Sequence, residues 1–293
     1  MAIEIGGKAK VTDSKTQNPH WPQAEIHPTA IVEDSVEISR GVRIGPWCHV
    51  KGPSSIGPGT VLMERVSVGP WVIMGRNNII HMGAVIGHAP QDLSYNGEET
   101  WTHIGSQNEI REYVTIHRGS RSGLKTVVGD HNLLMGLSHV AHDVEIGNRV
   151  ILANGALLAG HVHVDDQAFI SGGVLVHQFV RIGRLALLRG GSRTSRDVPP
   201  YCIMDGTHTV RSLNRVGLKR AGISAEERSR LKMAFRILFG RRKMEERGLL
   251  QLESDSSPLV RELVRFIRDS KRGVCHGSGR LPDIDTEMGV DYD

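Results

Sequence analysis

Between residues 139 and 178 the chain sets His139, His142, His161, His163 and His177 beside Asp143, Gly160 and Gln178. Most of the 15 histidines read as exposed turn residues, so it is the local density that singles this group out. His142, Gly160 and Gln178 are spaced 18 residues apart, as are Asp143, His161 and Phe179, and His177 lies one step before Gln178. In a chain that coils every 18 residues these are vertical columns. Their neighbours lie about 4.8 Å apart and the group spans about 10 Å. An imidazole near its ordinary pKa is a general base for a hydroxyl or a water. A carboxylate beside it holds one tautomer, and a glycine above it lets a backbone N–H approach an oxyanion. A metal is the rival reading, because His139-x-x-His142 and His161-x-His163 resemble zinc-ligand spacings. On a β-coil, however, an HxxH pair does not impose one face. The chain has no Gly-x-Ser-x-Gly elbow and no well-placed reactive cysteine, which favours direct attack by substrate over a covalent acyl-enzyme.

The coil that would position these residues is written in the aliphatic pattern. From Ile26 an aliphatic residue returns every sixth position through Val32, Ile38, Ile44, Val50, Ile56, Leu62, Val68, Met74, Ile80 and Ile86. The same phase runs from Val128 through Val140, Ile146, Leu158, Val176 and Ile182 to Leu188. Small or β-branched residues such as Val36, Val42, Cys48 and Thr60 sit two places earlier. A helix gives a period of 3.6 and a plain strand a period of two. A period of six predicts a parallel β-helix of hexapeptide repeats, with three short strands per coil.

Two interruptions break the phase, HAPQDLSYNGEETWTH (88–103) and HRGSRSGLKT (117–126), and both read as loops thrown out on one side of the solenoid. The coils are expected to end near Arg196, where DVPPY (197–201) stops a hydrogen-bonded ladder. The domain reading is an N-terminal extension (1–24), the β-helix (25–198), a helical domain (199–271) and a disordered tail (272–293). In the helical domain, Ser224 with Glu227 makes a capping box for a helix burying Leu231, Ala234, Phe235 and Leu238. A second helix starts with Pro258 after Ser257 and runs through Leu263, Val264 and Ile267. Residues 217–247 are rich in Lys and Arg, a positive face for an acidic partner or a solvated helix surface. The formal charge of +4 is too small to argue for nucleic acid. Three scattered cysteines without CxxC spacing point to a reducing compartment. No apolar stretch reaches the length of a membrane span, and the N-terminus lacks a signal-peptide core, so a cytoplasmic location is expected.

Several segments together resemble one family. They are IGHAPQDLSYNGE (86–98), REYVTIHRG (111–119), NLLMGLSHVAHDVEIGN (132–148), ILANGALLAGHVHVDD (151–166), VHQF (176–179), DVPPY (197–201) and GLKR (217–220). In order, over roughly residues 26–225, the chain is similar to the acyl-carrier-protein–UDP-N-acetylglucosamine O-acyltransferases that begin lipid A synthesis. The resemblance implies a left-handed parallel β-helix, a homotrimer with sites between subunits, and no cofactor or metal. It implies transfer of an (R)-3-hydroxyacyl group from acyl carrier protein to the glucosamine 3-hydroxyl of UDP-N-acetylglucosamine. His142 becomes the base, Asp143 its orienting partner and Gly160 the oxyanion donor. His139, His161, His177 and Gln178 fall around the sugar and the thioester. Gln91 and Asp92 fall on the glucosamine, from an adjoining subunit. Asn214 and Arg220 fall near the nucleotide, and Gly190 at the floor of the acyl site, where its lack of bulk favours a longer chain.

Three departures stand in this sequence. Ser94 follows PQDL where the family often has Lys, Val216 stands in place of an acidic residue, and Ala221 replaces a second Arg after GLKR. They leave the base region intact and alter the part that meets the nucleotide. Three other readings therefore stay open here: the same chemistry on a 3-amino sugar nucleotide, a zinc hydratase of the carbonic anhydrase type on the same fold, and a non-catalytic scaffold that binds a sugar nucleotide.

Overall fold

A computed structural model describes residues 22–241 and 244–278, together with the short strand Lys10–Val11. Its strands are mostly two to four residues long and form three sheets of nine, twelve and nine strands, which along the coils are parallel and take every third strand of the chain. These sheets are the faces of a left-handed parallel β-helix. The period of 18 is visible in the register, where Glu145 pairs with His163 and His163 with Arg181, and Leu157 pairs with Leu175 and Leu175 with Arg193.

The sixth-position residues fill the interior. Ile38, Ile56, Leu62, Ile80, Ile86, Ile116, Leu134, Leu152, Leu158 and Ile170 are all essentially inaccessible, and each such burial stabilises by roughly 1.5–3 kcal/mol. The first coil is the exception, since Ile26 is exposed and Val32 half-buried, with one fewer coil to cover them. The residues two places earlier line the adjacent corners. Val36, Val42, Cys48 and Thr60 are buried there, and Asn78, Asn108 and Asn132 form a ladder of side-chain amides. The Oδ1 of Asn78 accepts from the backbone and side chain of Asn108 at 2.9 and 3.0 Å, and that of Asn108 accepts from the backbone of Asn132 at 2.8 Å. Each coil thereby satisfies buried polar groups of the next.

The two interruptions are insertions between otherwise regular coils. Val72 pairs with Thr102, 30 positions on, and Trp101 with Lys125, 24 positions on, where the regular step is 18. Trp101–Ile104 is a strand, so the first loop ends before the Trp-Thr-His stretch that the sequence reading included in it. Ladder pairing with both neighbouring coils overrides the local polarity of that stretch.

Beyond the prolines the sheet continues, which corrects the expectation of a purely helical region. Cys202–Met204 extends the twelve-stranded sheet, and Thr209–Leu213 turns back antiparallel onto it. Among the described residues four helices follow: α1 (Arg215–Arg220), α2 (Ala225–Phe239), α3 (Glu246–Leu252) and α4 (Pro258–Arg268). Ser224 caps α2 through the amide of Glu227 and Ser257 caps α4 through that of Val260, both at 3.2 Å. The Glu227 carboxylate does not close a capping box; it bonds the hydroxyl of Ser257 and so joins the two helices. Helix α4 is fastened to the coils by Arg184, whose guanidinium bonds Glu262 and the buried Tyr201.

The expected tail is also corrected at its start. Cys275 donates to the Asp197 carbonyl, and His276–Gly277 pairs with Thr209–Val210. The rest of that tail lies outside the described residues. Of the N-terminal extension, Lys10–Val11 pairs with Glu37–Ile38 on the first coils.

Candidate active site

Three successive coils turn the same corner at residues 141–143, 159–161 and 177–179. Asp143, His161 and Phe179 each sit in the left-handed backbone region, with φ of 59°, 60° and 64°. That conformation is costly for a residue bearing a Cβ and is held here by the ladder on either side. At the turn the carboxylate of Asp143 comes to the ring of the residue before it, and His142 Nδ1 to Asp143 Oδ2 is 2.8 Å. Both side chains are buried. The amide of Asp143 donates to Thr126 Oγ1 at 2.8 Å. Its carboxylate accepts from the amide of Ser120 on Oδ1 at 3.1 Å and from the Ser120 hydroxyl on Oδ2 at 2.6 Å.

Gly160 lies against the imidazole of His142. A Cβ placed on it would fall 2.5 Å from His142 Cε1 and 2.7 Å from Nε2, so only glycine fits. The amides on either side take part in the ladder, Ala159 N–H to Val176 O and His161 N–H to His142 O. Among the described residues the N–H of Gly160 makes no such bond. His161 packs edge-on to His142 with centroids 5.1 Å apart, and stacks on Phe179 at 4.5 Å with 4° between the planes. Its Nε2 stands 3.6 Å from Asp143 Oδ2.

Burial disfavours the charged form of the surrounding imidazoles. Burial lowers the pKa of His161, although Asp143 pulls it back up. Burial also lowers that of His139, whose Nδ1 meets Thr115 Oγ1 at 2.6 Å. His117 meets His139 edge-on at 5.1 Å, and burial pushes its pKa down to about 4. Neutral rings beside a base donate and accept hydrogen bonds without repelling the proton the base takes up. His142, Asp143 and His161 bring three donor atoms within 4.8 Å of one another, a set that a transition metal also accepts. In the structure Asp143 Oδ2 already accepts from Ser120 and His142, the arrangement of a base and its orienting acid.

Both insertions lie over this corner. Arg118 ties them together: its Nε and Nη2 donate to Tyr95 Oη at 3.1 and 2.9 Å, and its Nη1 donates to Gly87 O at 3.0 Å. Its guanidinium also lies over the rings of Trp71 and Tyr95. Arg118 thereby holds the first loop against the second within one chain. Ser94 donates its amide and hydroxyl to Asp92 Oδ1, both at 2.9 Å. These bonds hold the Asp92 carboxyl below its ordinary range, and His142 and Arg121 add to the effect.

The other residues singled out in the sequence are dispersed. Gln91, His177 and Gln178 are exposed, the latter two on the next turn of the corner. Gly190 is exposed, and a Cβ there would meet only Gly172 O, at 3.5 Å. Asn214 is buried and committed locally: its Oδ1 caps α1 through Gly217 N–H, and its Nδ2 donates to Leu185 O, both at 2.9 Å. Arg220 ends α1. Sequence reasoning missed Ser120, Thr126, Arg118 and His117 as parts of the site. Ser120, Arg118 and His117 sit in or beside the insertions, where the 18-residue ruler loses its register.

Comparisons with known proteins place the chain in one family. A family model described as UDP N-acetylglucosamine O-acyltransferase, domain 2, matches residues 197–275, and the bacterial transferase hexapeptide model matches residues 53–88 and 125–160. The acyl-[acyl-carrier-protein]–UDP-N-acetylglucosamine O-acyltransferase of Thermodesulfovibrio yellowstonii is 45% identical over 256 residues, spanning 86% of this chain and 99% of that protein. The enzyme of the same description from Synechocystis is 47% identical over 199 residues, 67% of this chain and 72% of that one. Among solved structures, the UDP-N-acetylglucosamine acyltransferase of Francisella novicida superposes with a TM-score of 0.83 at 35% identity, covering 86% of this chain and 94% of that one. The Arabidopsis UDP-N-acetylglucosamine acyltransferase gives 0.80 at 39% identity, covering 87% and 99%.

Proposed function

The chain belongs to the acyl-[acyl-carrier-protein]–UDP-N-acetylglucosamine O-acyltransferase family, and from that premise we propose how its histidine corner carries out the transfer. It is an enzyme that moves an acyl group from acyl carrier protein to UDP-N-acetylglucosamine. In our reading the acceptor is the glucosamine 3-hydroxyl and the group is an (R)-3-hydroxyacyl chain. His142 Nε2 takes the hydroxyl proton as the oxygen attacks the thioester carbonyl. The Gly160 N–H donates to the oxyanion of the tetrahedral intermediate. The C–S bond then breaks, the ester is formed, and the proton on His142 passes to the departing thiol.

The observation that carries this reading is the buried Asp143–His142 pair lying against Gly160. Asp143 fixes the proton on Nδ1 and leaves Nε2 as the base. His139, His161, His177 and Gln178 surround the sugar and the thioester, and Asp92 and Gln91 meet the glucosamine. Arg220 and Asn214 belong to the nucleotide end, where Asn214 acts by holding the start of α1. At Gly190 a Cβ would meet only Gly172 O, at 3.5 Å, and the missing side-chain bulk at that position supports a longer acyl chain.

Leu157 and Leu175 are exposed and stacked on one outer face, which supports assembly into a homotrimer through that face. Lys232 and Arg236 on α2 stand beside the exposed Met233 and Ile237, a surface suited to an acidic carrier protein. No helix among the described residues is long and apolar enough to cross a membrane. The three cysteines are free, in keeping with a cytoplasmic site of reaction. The amide-forming, zinc-hydratase and scaffold readings are not favoured, since relatives 45% and 47% identical to this chain are named O-acyltransferases.

An acyl-transfer assay with hydroxyacyl carrier proteins of several lengths and UDP-N-acetylglucosamine tests the proposal. Wild-type protein should form the O-acyl product and His142→Ala, still folded, should lose turnover by at least about 100-fold. Substantial activity in His142→Ala would remove it as the base.

A further inference from the structure

We infer that Ser120 is a positioning residue that commits the Asp143 carboxylate to His142 rather than to His161. The inference rests on the reading of His142 as the base. Asp143 Oδ2 faces three donors: Ser120 Oγ at 2.6 Å, His142 Nδ1 at 2.8 Å and His161 Nε2 at 3.6 Å. Oδ1 accepts the Ser120 amide at 3.1 Å. One residue therefore holds both oxygens, and two bonds from a single anchor fix the plane of a carboxylate whose terminal torsion is otherwise broad and soft.

The competing imidazole is well placed to take over. His161 is held by its stack on Phe179 at 4.5 Å and lies edge-on to His142. Without the hydroxyl, Oδ2 loses its shortest bond and the carboxylate can turn toward His161 Nε2. His142 Nδ1 would then lose its partner, and its proton could reside on either nitrogen. The hydroxyl thus selects which of two adjacent rings is held as a base. Arg121, Asp92, His139 and His117 are the other titratable or charged groups acting on this cluster, and none of them hydrogen-bonds Asp143 among the described residues.

The anchor is itself anchored. Ser120 lies in the shorter insertion, where the Gly119 amide donates to Trp101 O at 3.2 Å and the Leu124 amide to Arg121 O at 2.9 Å. Arg118, two residues earlier, pins the same segment to Tyr95 and Gly87. The insertion therefore delivers one hydroxyl to the back of the catalytic pair as well as covering the site.

Ser120→Ala and Ser120→Thr test this in the full-length enzyme. Ser120→Ala should keep its sedimentation and melting behaviour while kcat falls about 10- to 100-fold, the range for one hydrogen bond to a charged group. KM for UDP-N-acetylglucosamine should stay within about twofold, because the loss falls on the base and not on ground-state binding. Threonine, which keeps the hydroxyl, should restore the rate. A crystal structure of Ser120→Ala should place Asp143 Oδ2 on His161 Nε2. An unchanged rate, a loss that threonine fails to rescue, or a carboxylate still bonded to His142 would each overturn the assignment. Turnover by His142→Ala would sink the base instead, and the carboxylate position in Ser120→Ala would still decide the role of Ser120.

Discussion

Gly160 and His142 are adjacent because one of them has no side chain; a Cβ would stand 2.5 Å from the ring. This pair and Asp143 were legible in the sequence, since their columns follow from a constant 18-residue step. The buried ring of His117 was not, as it sits where that step is interrupted. Its Nδ1 has no hydrogen-bond partner among the described residues, and burial holds its pKa near about 4, below the value of about 6.5 expected for an unfolded chain. Protonation therefore favours unfolding. The stability from keeping this ring neutral is fully present above about pH 6.5 and is lost as pH falls toward 4, by an order of 3 kcal/mol per chain. His139 and His161, also lowered, act in the same direction. Melting temperatures taken from pH 7 to 4 should fall, and fall less steeply in His117→Asn. Equal slopes in the two proteins would show that His117 is not the group responsible.

At the scale of elements, the insertions do what the coils cannot. A hexapeptide coil offers side chains only at fixed heights and directions, whereas a loop can bring Asp92 or Ser120 across the corner. The sequence marks both loops by loss of aliphatic phase, but it does not say that Arg118 and Tyr95 join them. Removing that joint in Arg118→Ala deletes the guanidinium bonds to Tyr95 Oη and Gly87 O, leaves Tyr95 only its bond to Glu98 O, and loosens the first loop. KM for UDP-N-acetylglucosamine should rise by roughly 5- to 50-fold, and a protease should cut within residues 89–100 sooner than in the wild type. Unchanged KM and cleavage would mean that the loop is held by other contacts. Helices α2 and α4 were readable from their caps and apolar faces. Helices α1 and α3 were not, being one to two turns long and held by packing and by Asn214.

The whole molecule is a stack of coils with one end covered by the last strands and helices. Among the apolar side chains left exposed on its outer faces, Leu157 and Leu175 pair in one column. In the proposed trimer a carboxylate placed in that column would be buried without a partner. Leu175→Glu should sediment as a smaller species than the wild type and lose turnover with it, while retaining a β-rich circular dichroism spectrum. A variant that assembles like the wild type would move the subunit contact to another face.

What the sequence determined by itself was whatever repeats. A step of six and its multiple of 18 fix inside and outside, the vertical neighbours of each corner residue, and so the pairing of His142 with Gly160 and of Asp143 with His161. The tertiary structure decided what the repeat cannot express. The left-handed backbone at Asp143 turns its carboxylate back onto His142. The insertions deliver Ser120 and Asp92 to the same corner, and the last strand crosses back beside Thr209 after the four helices. The physical reason is that periodic burial is a local constraint, satisfied coil by coil. Loop closure and side-chain competition for one carboxylate depend on groups far apart in the chain, which meet only once the coils have formed.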